Sequence, residues 1–186
     1  MISMQTINKG LIGAVLALGM AVTAQVYAFD AATQDAESKA TLEKFGRDQP
    51  GAKAIIDSAK GVLVCPKITK GGFIIGASGG KCTLYVAKKN VDYYGYTAVK
   101  YGFLAGISSY AMIMVFNDQA ALGKFRSNKR EWEIGADANV AVAKAGAGGV
   151  LDTNNIKGPV VAFVFGEKGL MADASLKGGR FKRLDK

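Results

Sequence analysis

Gly61 divides the chain into two kinds of sequence, and that change constrains the fold more than any other feature. Upstream, residues 31–46 are rich in Ala, Lys and Glu, and Leu42 and Phe45 fall on one helical face, so the spacing predicts a helix. Gly46 reads as its stop. Asp48-Gln49-Pro50 reads as the entry to a second helix, with Pro50 in its first turn, Ile55, Ile56 and Ala59 on its apolar side, and Gly61 at its end. Both helices are expected to pack on the core; the competing reading lays them at a bilayer surface. Downstream, short runs of Val, Ile, Phe and Tyr are punctuated by glycine, which occurs 24 times against 3 prolines. That pattern favours strands with tight bends.

The strands are expected at residues 62–65, stopped by Pro66, then at 73–77 and 82–87, joined through Ser78-Gly79-Gly80. Residues 93–99 and 101–116 continue the pattern, with Gly102, Gly106 and Ser108-Ser109 marking bends or bulges. Asn117-Asp118 can cap a short helix over 119–125. Residues 132–143 alternate as a strand broken by the glycines at 146–149, and residues 159–165, 169–174 and 181–184 finish the chain as strands. The expected fold is α+β, mainly β: N-terminal helices packed on a strongly curved antiparallel sheet that closes as a barrel or sandwich.

Residues 1–28 read as a secretory signal. Lys9 supplies the positive region, residues 10–24 the apolar region, and Val26-Tyr27-Ala28 a cleavage site, so cleavage is expected after Ala28. The apolar stretch is shorter than the roughly 20 residues of a membrane span. The competing reading is an uncleaved anchor. The domain organisation is then a signal peptide (1–28), a helical segment (29–60) and a β-rich body (61–186), the last two forming one domain. The expected location is the periplasm or outside the cell, peripheral to the membrane. Cys65 and Cys82 would meet an oxidising compartment there, and a bond closing the sixteen residues between them stabilises by about 3 kcal/mol in the chain-entropy account. The competing reading is two buried thiols.

The chemistry of catalysis finds little to work with. Gly76-Ala77-Ser78-Gly79-Gly80 fits the G-x-S-x-G elbow of hydrolases, but a strand follows it where the elbow needs a helix. The chain has no His, so no imidazole can take the serine proton. Two Cys without His make a poor zinc site. Glu131 and Glu133, two apart in a strand, point together towards solvent. No enzyme, cofactor or metal is expected, and no catalytic residue is assigned.

The charge is more informative. The formal net charge is +9; residues 61–186 carry eighteen basic and nine acidic side chains, against five and six in residues 29–60. Three groups of cations stand out: Lys67, Lys70 and Lys81; Lys124, Arg126, Lys129 and Arg130; and Lys177, Arg180, Lys182 and Arg183. Each contributes about 1 kcal/mol near an anionic bilayer. For an exported chain an anionic membrane surface fits this excess better than nucleic acid does.

Several motifs together resemble the SYLF domain. Gly61-Val62-Leu63-Val64-Cys65-Pro66 and Lys70-Gly71-Gly72-Phe73-Ile74-Ile75-Gly76 are similar to its opening. Tyr94, Tyr101-Gly102-Phe103-Leu104-Ala105-Gly106 and Met114-Val115-Phe116-Asn117-Asp118-Gln119-Ala120-Ala121-Leu122 are similar to its middle. Gly135-Ala136-Asp137-Ala138, Val161-Ala162-Phe163-Val164-Phe165 and Gly169-Leu170-Met171-Ala172 are similar to its end. The resemblance spans about residues 37–184. It implies a lipid-binding module whose eukaryotic relatives bind phosphoinositides and associate with actin filaments. Bacterial relatives are typically exported, which points to an anionic phospholipid headgroup as partner rather than actin. The family's lipid contacts are attributed to basic surface and an amphipathic N-terminal helix, here residues 31–46. Cys65 replaces a common aromatic and Cys82 a common Gly; two such departures, both to Cys, favour a bond between them. Asp92-Tyr93-Tyr94 stands where the family often has a Trp. The alternative function is a structural or protein-interaction module of the cell envelope.

Overall fold

The N–H of Ala32 donates to the Asp30 side chain at 3.0 Å, and this cap starts α1 (Ala31–Asp48). The helix runs through Gly46, and the chain then turns at Gly51, whose φ of 87° caps α2 (Ala52–Ser58); Pro50 precedes that cap instead of occupying the first turn. The structure is a computed structural model that describes residues 29–72, 75–101, 106–143, 158–166, 169–170 and 176–185. The expected leader, the bend at Gly102 and the glycine break at 146–149 lie outside these residues.

The strands are β1 (Gly61–Gly72), β2 (Ile75–Val86), β3 (Lys89–Tyr101) and β4 (Ile107–Phe116). Then come α3 (Gln119–Ser127), β5 (Trp132–Glu133), β6 (Ala141–Val142), β7 (Val160–Gly166), β8 (Gly169–Leu170) and β9 (Arg180–Arg183). They form one sheet in the order β5-β9-β3-β2-β1-β4-β7-β6, with β8 on β7. In β3-β2-β1-β4 the fourth strand returns beside the first, a Greek-key order. The protein is mainly β, and the sheet curls into a half-barrel. Two features differ from the expected fold. Among the described residues the path from β5 to β6 is open, and β6 pairs with β7 in parallel.

The sheet is buried on both faces over half its height. Phe45 of α1 and Ala52 of α2 pack with Val62, Val64, Ile113, Val115, Phe163 and Phe165 on what is here called the outer face. Phe45 lies 5.0 Å from Phe163 and 5.6 Å from Phe165, ring to ring. On the inner face Leu63, Leu84, Tyr94, Met114 and Phe116 pack with Leu122 and Phe125 of α3 and with Trp132 and Phe181. Two covered faces explain why residues 61–65 and 160–165 are uninterrupted buried runs rather than alternating ones. Polar groups complete the docking of α1. Ser38 Oγ donates to Thr83 Oγ1 at 2.9 Å, Gln34 Nε2 to the Lys81 carbonyl at 3.2 Å, and Asn90 Nδ2 to Asp35 Oδ1 at 2.7 Å.

Pro66 does not stop β1. The strand continues through it with a register shift against both neighbours, at 64/67 on β2 and 65/68 on β4. A proline cannot donate to the ladder, so inside a paired strand it is tolerated at a bulge. Ser78-Gly79-Gly80 is likewise not a turn. It lies inside β2, and the β1–β2 hairpin turns at the far end, where Gly72 pairs with Gly76. The glycines answer the bulge: a Cβ on Gly80 would come within 2.6 Å of the Lys67 carbonyl oxygen. Residues 132–143 are not one strand either; β5 ends at Glu133, Gly135 turns with φ 96°, and β6 starts at Ala141. Cys65 and Cys82 are bonded across β1 and β2 with their Cα atoms 4.1 Å apart, both fully buried on the inner face.

Three stability predictions follow, the first from the bulge. Gly80→Val lowers stability by roughly 2–3 kcal/mol in urea unfolding, because the facing atoms are backbone. Gly123→Ala, on α3 with nothing within 4 Å of its Cβ, leaves stability unchanged or raises it by up to about 1 kcal/mol. Oxidised protein exceeds both reduced protein and the Cys65→Ala/Cys82→Ala variant by about 3 kcal/mol in the same titration. Equal midpoints for oxidised and reduced protein would show that the bond adds nothing to packing.

Candidate functional site

Beyond the bulge the strands outrun the helices, and their outer face opens to solvent. Directly paired residues point to the same face of a sheet. Lys67 on β1 pairs with Lys81 on β2, Lys81 with Gly95 on β3, and Gly95 with Lys182 on β9. The register therefore lays Lys67, Lys81 and Lys182 in one row across four strands, all exposed. At about 4.8 Å per strand, Lys67 and Lys81 are immediate neighbours and Lys182 stands about 10 Å from Lys81. Gly95 between them has no side chain, and Leu184 Cδ2 lies 3.5 Å from its Cβ position. None of the three makes an ion pair among the described residues. Lys81 Nζ lies 5.1 Å above the ring of Phe29, which leaves its charge accessible. Like charges directly opposed on neighbouring strands repel, so this row is a standing cost that an anion would relieve.

The other basic residues have different surroundings. Arg183 and Arg126 both face Asp92, a nearly fully buried carboxylate on the inner side of β3; Arg126 Nε is 3.5 Å from it and Arg183 is hydrogen-bonded to it. This pair of ion contacts ties α3 and β9 to β3. Arg180 Nε donates to Glu133 at 2.9 Å, and its guanidinium lies 3.9 Å from Glu131, so the two neighbouring carboxylates act together on one arginine. Lys124, Lys129 and Arg130 are exposed around the end of α3, which packs on the inner side of the sheet through Leu122 and Phe125. They are thus apart from the lysine row. Lys177 lies over the turn at Gly135.

Lys70 points to the inner face, paired with Ser78 and Ser108. Lys100, which the sequence groups did not include, faces the same way opposite Gly76. Burial, and after it the charge of Lys70, holds the Lys100 ammonium below the ordinary lysine value. Deeper inside, burial and then Asp92 push Tyr94 up to about 12, and burial and then Asp35 push Tyr85 up to about 12.

Between the lysine row and the hairpin tip the outer face carries two more rows. Thr97, Gly79, Thr69 and Ser109 form the first, which Arg180 and its partner Glu133 continue past Thr97. Val99, Ala77, Gly71 and Ile107 form the second. Val99 and Ile107 were not singled out in the sequence. Their signal is the two-residue alternation Thr97-Val99 in β3 and Ile107-Ser109 in β4, which becomes meaningful only once the register aligns the strands. Ser78, the serine of the hydrolase-like motif, is mid-strand opposite Lys70 and Ala98.

No curated protein matches the chain. Residues 97–185 match the family Ysc84, described as a Las17-binding protein actin regulator. The match starts within β3 and runs through α3 to β9, taking in Arg126, Arg180, Lys182 and Arg183. The family is linked to lipid and actin binding. This match over residues 97–185, on a chain whose helices pack on a curled Greek-key sheet, is consistent with a SYLF-domain protein.

Proposed function

We propose that this protein is exported and docks on anionic phospholipid at a membrane surface, without catalysis, through the lysine row of its outer face. The observation that carries the reading is the convergence of Lys67, Lys81 and Lys182, distant in the chain, into one exposed row in which none of the three is ion-paired among the described residues, with Asp30 near enough to Lys81 to feel its charge. A planar row of ammonium groups suits a layer of phosphates, since each is a compact point charge on a flexible stem. No helix among the described residues is long and apolar enough to cross a membrane. The buried Cys65–Cys82 bond supports passage through an oxidising compartment. A lipid headgroup is preferred to actin because export separates the chain from cytoplasmic filaments. The envelope-protein alternative predicts binding that does not depend on lipid charge.

Vesicle sedimentation tests this. The chain is expected to pellet with vesicles of phosphatidylcholine containing phosphatidylglycerol, to stay in solution with phosphatidylcholine alone, and to dissociate as salt rises. Replacing Lys67, Lys81 and Lys182 together by Ser is expected to weaken binding by about 100-fold at low salt, from about 1 kcal/mol per lysine. Replacing Lys124, Lys129 and Arg130 by Ser is expected to weaken it by less than about tenfold. If the second variant loses binding and the first retains it, the docking surface is the α3 end and the proposal fails.

A further inference from the structure

Among the described residues three large apolar side chains are strongly exposed: Ile75 at 56%, Val99 at 60% and Ile107 at 82%. Singly such residues are ordinary on a protein surface. These three share one face at one end of the sheet. Val99 pairs with Ala77, Ala77 with Gly71, and Gly71 with Ile107, while Ile75 is two residues before Ala77 and so points the same way. Gly71 has no side chain to interrupt the row, and its Cβ position is 3.4 Å from Ile107 Cγ1, so Ile107 leans across it.

We infer that this end of the sheet enters the apolar boundary of an anionic bilayer, with Ile75, Val99 and Ile107 as the inserted side chains and the lysine row behind them on the phosphates. The inference rests on the lipid-docking reading and adds how the surface is oriented. Along the strands the outer face changes in order: an apolar row, then the hydroxyl and glycine row of Thr97, Thr69 and Ser109, then the lysines. Successive rows are two residues apart, or about 7 Å, which places the lysines about 14 Å from the apolar row. A bilayer presents the same order of chemistry, from acyl chain through the glycerol and ester layer to phosphate. Interfacial apolar faces bury about 5–10 Å, and lysine stems can reach back along the surface to a phosphate. The occupant is chosen by charge. A second copy of this chain would bring its own lysines, and a net charge of +9, against the same face; an anionic bilayer neutralises it.

The test uses the full chain with vesicles of phosphatidylcholine and phosphatidylglycerol, and two variants checked for an unchanged melting profile. Ile75→Ser/Val99→Ser/Ile107→Ser is expected to bind at least tenfold more weakly and to dissociate at lower salt than the unsubstituted chain. Val99→Trp is expected to shift its emission to the blue on the vesicles and to be quenched by brominated acyl chains, against the buried Trp132 as internal background. If the unsubstituted chain fails to pellet with anionic vesicles, the docking reading itself falls and this inference with it. If it pellets but the triple variant binds equally and the introduced Trp is not quenched, only the insertion falls. A dimer in vesicle-free solution that the triple variant converts to monomer would assign the row to contact between copies and overturn the inference.

Discussion

The bulge at Cys65–Lys67 sets what each half of the sheet can be. Proline at position 66 denies β1 one ladder bond, and the register slips against both neighbours at that level. Gly80 admits the displaced Lys67 carbonyl from the β2 side. The Cys65–Cys82 bond joins the same two strands beside the slip, where hydrogen bonding is interrupted. Below this level β1 is buried on both faces, by α1 and α2 on one side and by the curl of the sheet with α3 on the other. Above it every second residue meets water. A bulge bends its strand and increases local twist, so the same defect that curls the lower sheet around its core also carries the upper strands clear of the helices.

That division sorts the cations. The arginines at 126, 180 and 183 are committed to carboxylates and hold the ends of the sheet and α3 in place. A guanidinium is planar and weakly hydrated, and is suited to half-buried pairing of this kind. The lysines at 67, 81 and 182 are on regular strand positions with solvent around them. Mere clustering in the chain does not distinguish these roles. Arg180, Lys182 and Arg183 are close neighbours in sequence. Alternation along β9 sends Lys182 and Arg183 to opposite faces, while Arg180, on the same face as Lys182, is claimed by Glu133.

How much was legible follows from the range of the forces involved. The helices could be read because capping and composition act locally: Asp30 and Asp118 accept from the first-turn N–H groups of α1 and α3. The long apolar runs at 62–65 and 160–165 could be read as strands. Considered alone, Pro66 and Gly79-Gly80 signal a break in the strand. Here they are the two sides of one bulge, which only the pairing of β1 with β2 brings together. Residues 132–143 alternate as a strand should, yet the turn at Gly135, with φ 96°, divides them. The cations could be counted but not placed, since a row across four strands has no signature along any one of them.

The same register sets what the exposed end of the sheet offers. An apolar strand end invites association with other strands mainly when it is also an unpaired edge. β1 and β2 are central, but β9 reaches β3 only as far as Thr97 and β7 reaches β4 only from Ala111, so among the described residues Val99 and Ile107 lie on edge segments. What they offer to a partner is apolar surface in a setting of hydroxyls and lysines, and the like charge of those lysines opposes pairing with a second copy of this chain. A flat anionic interface meets that offer more completely than another sheet edge does, because it needs no backbone pairing and supplies the counter-charge that the lysine row lacks.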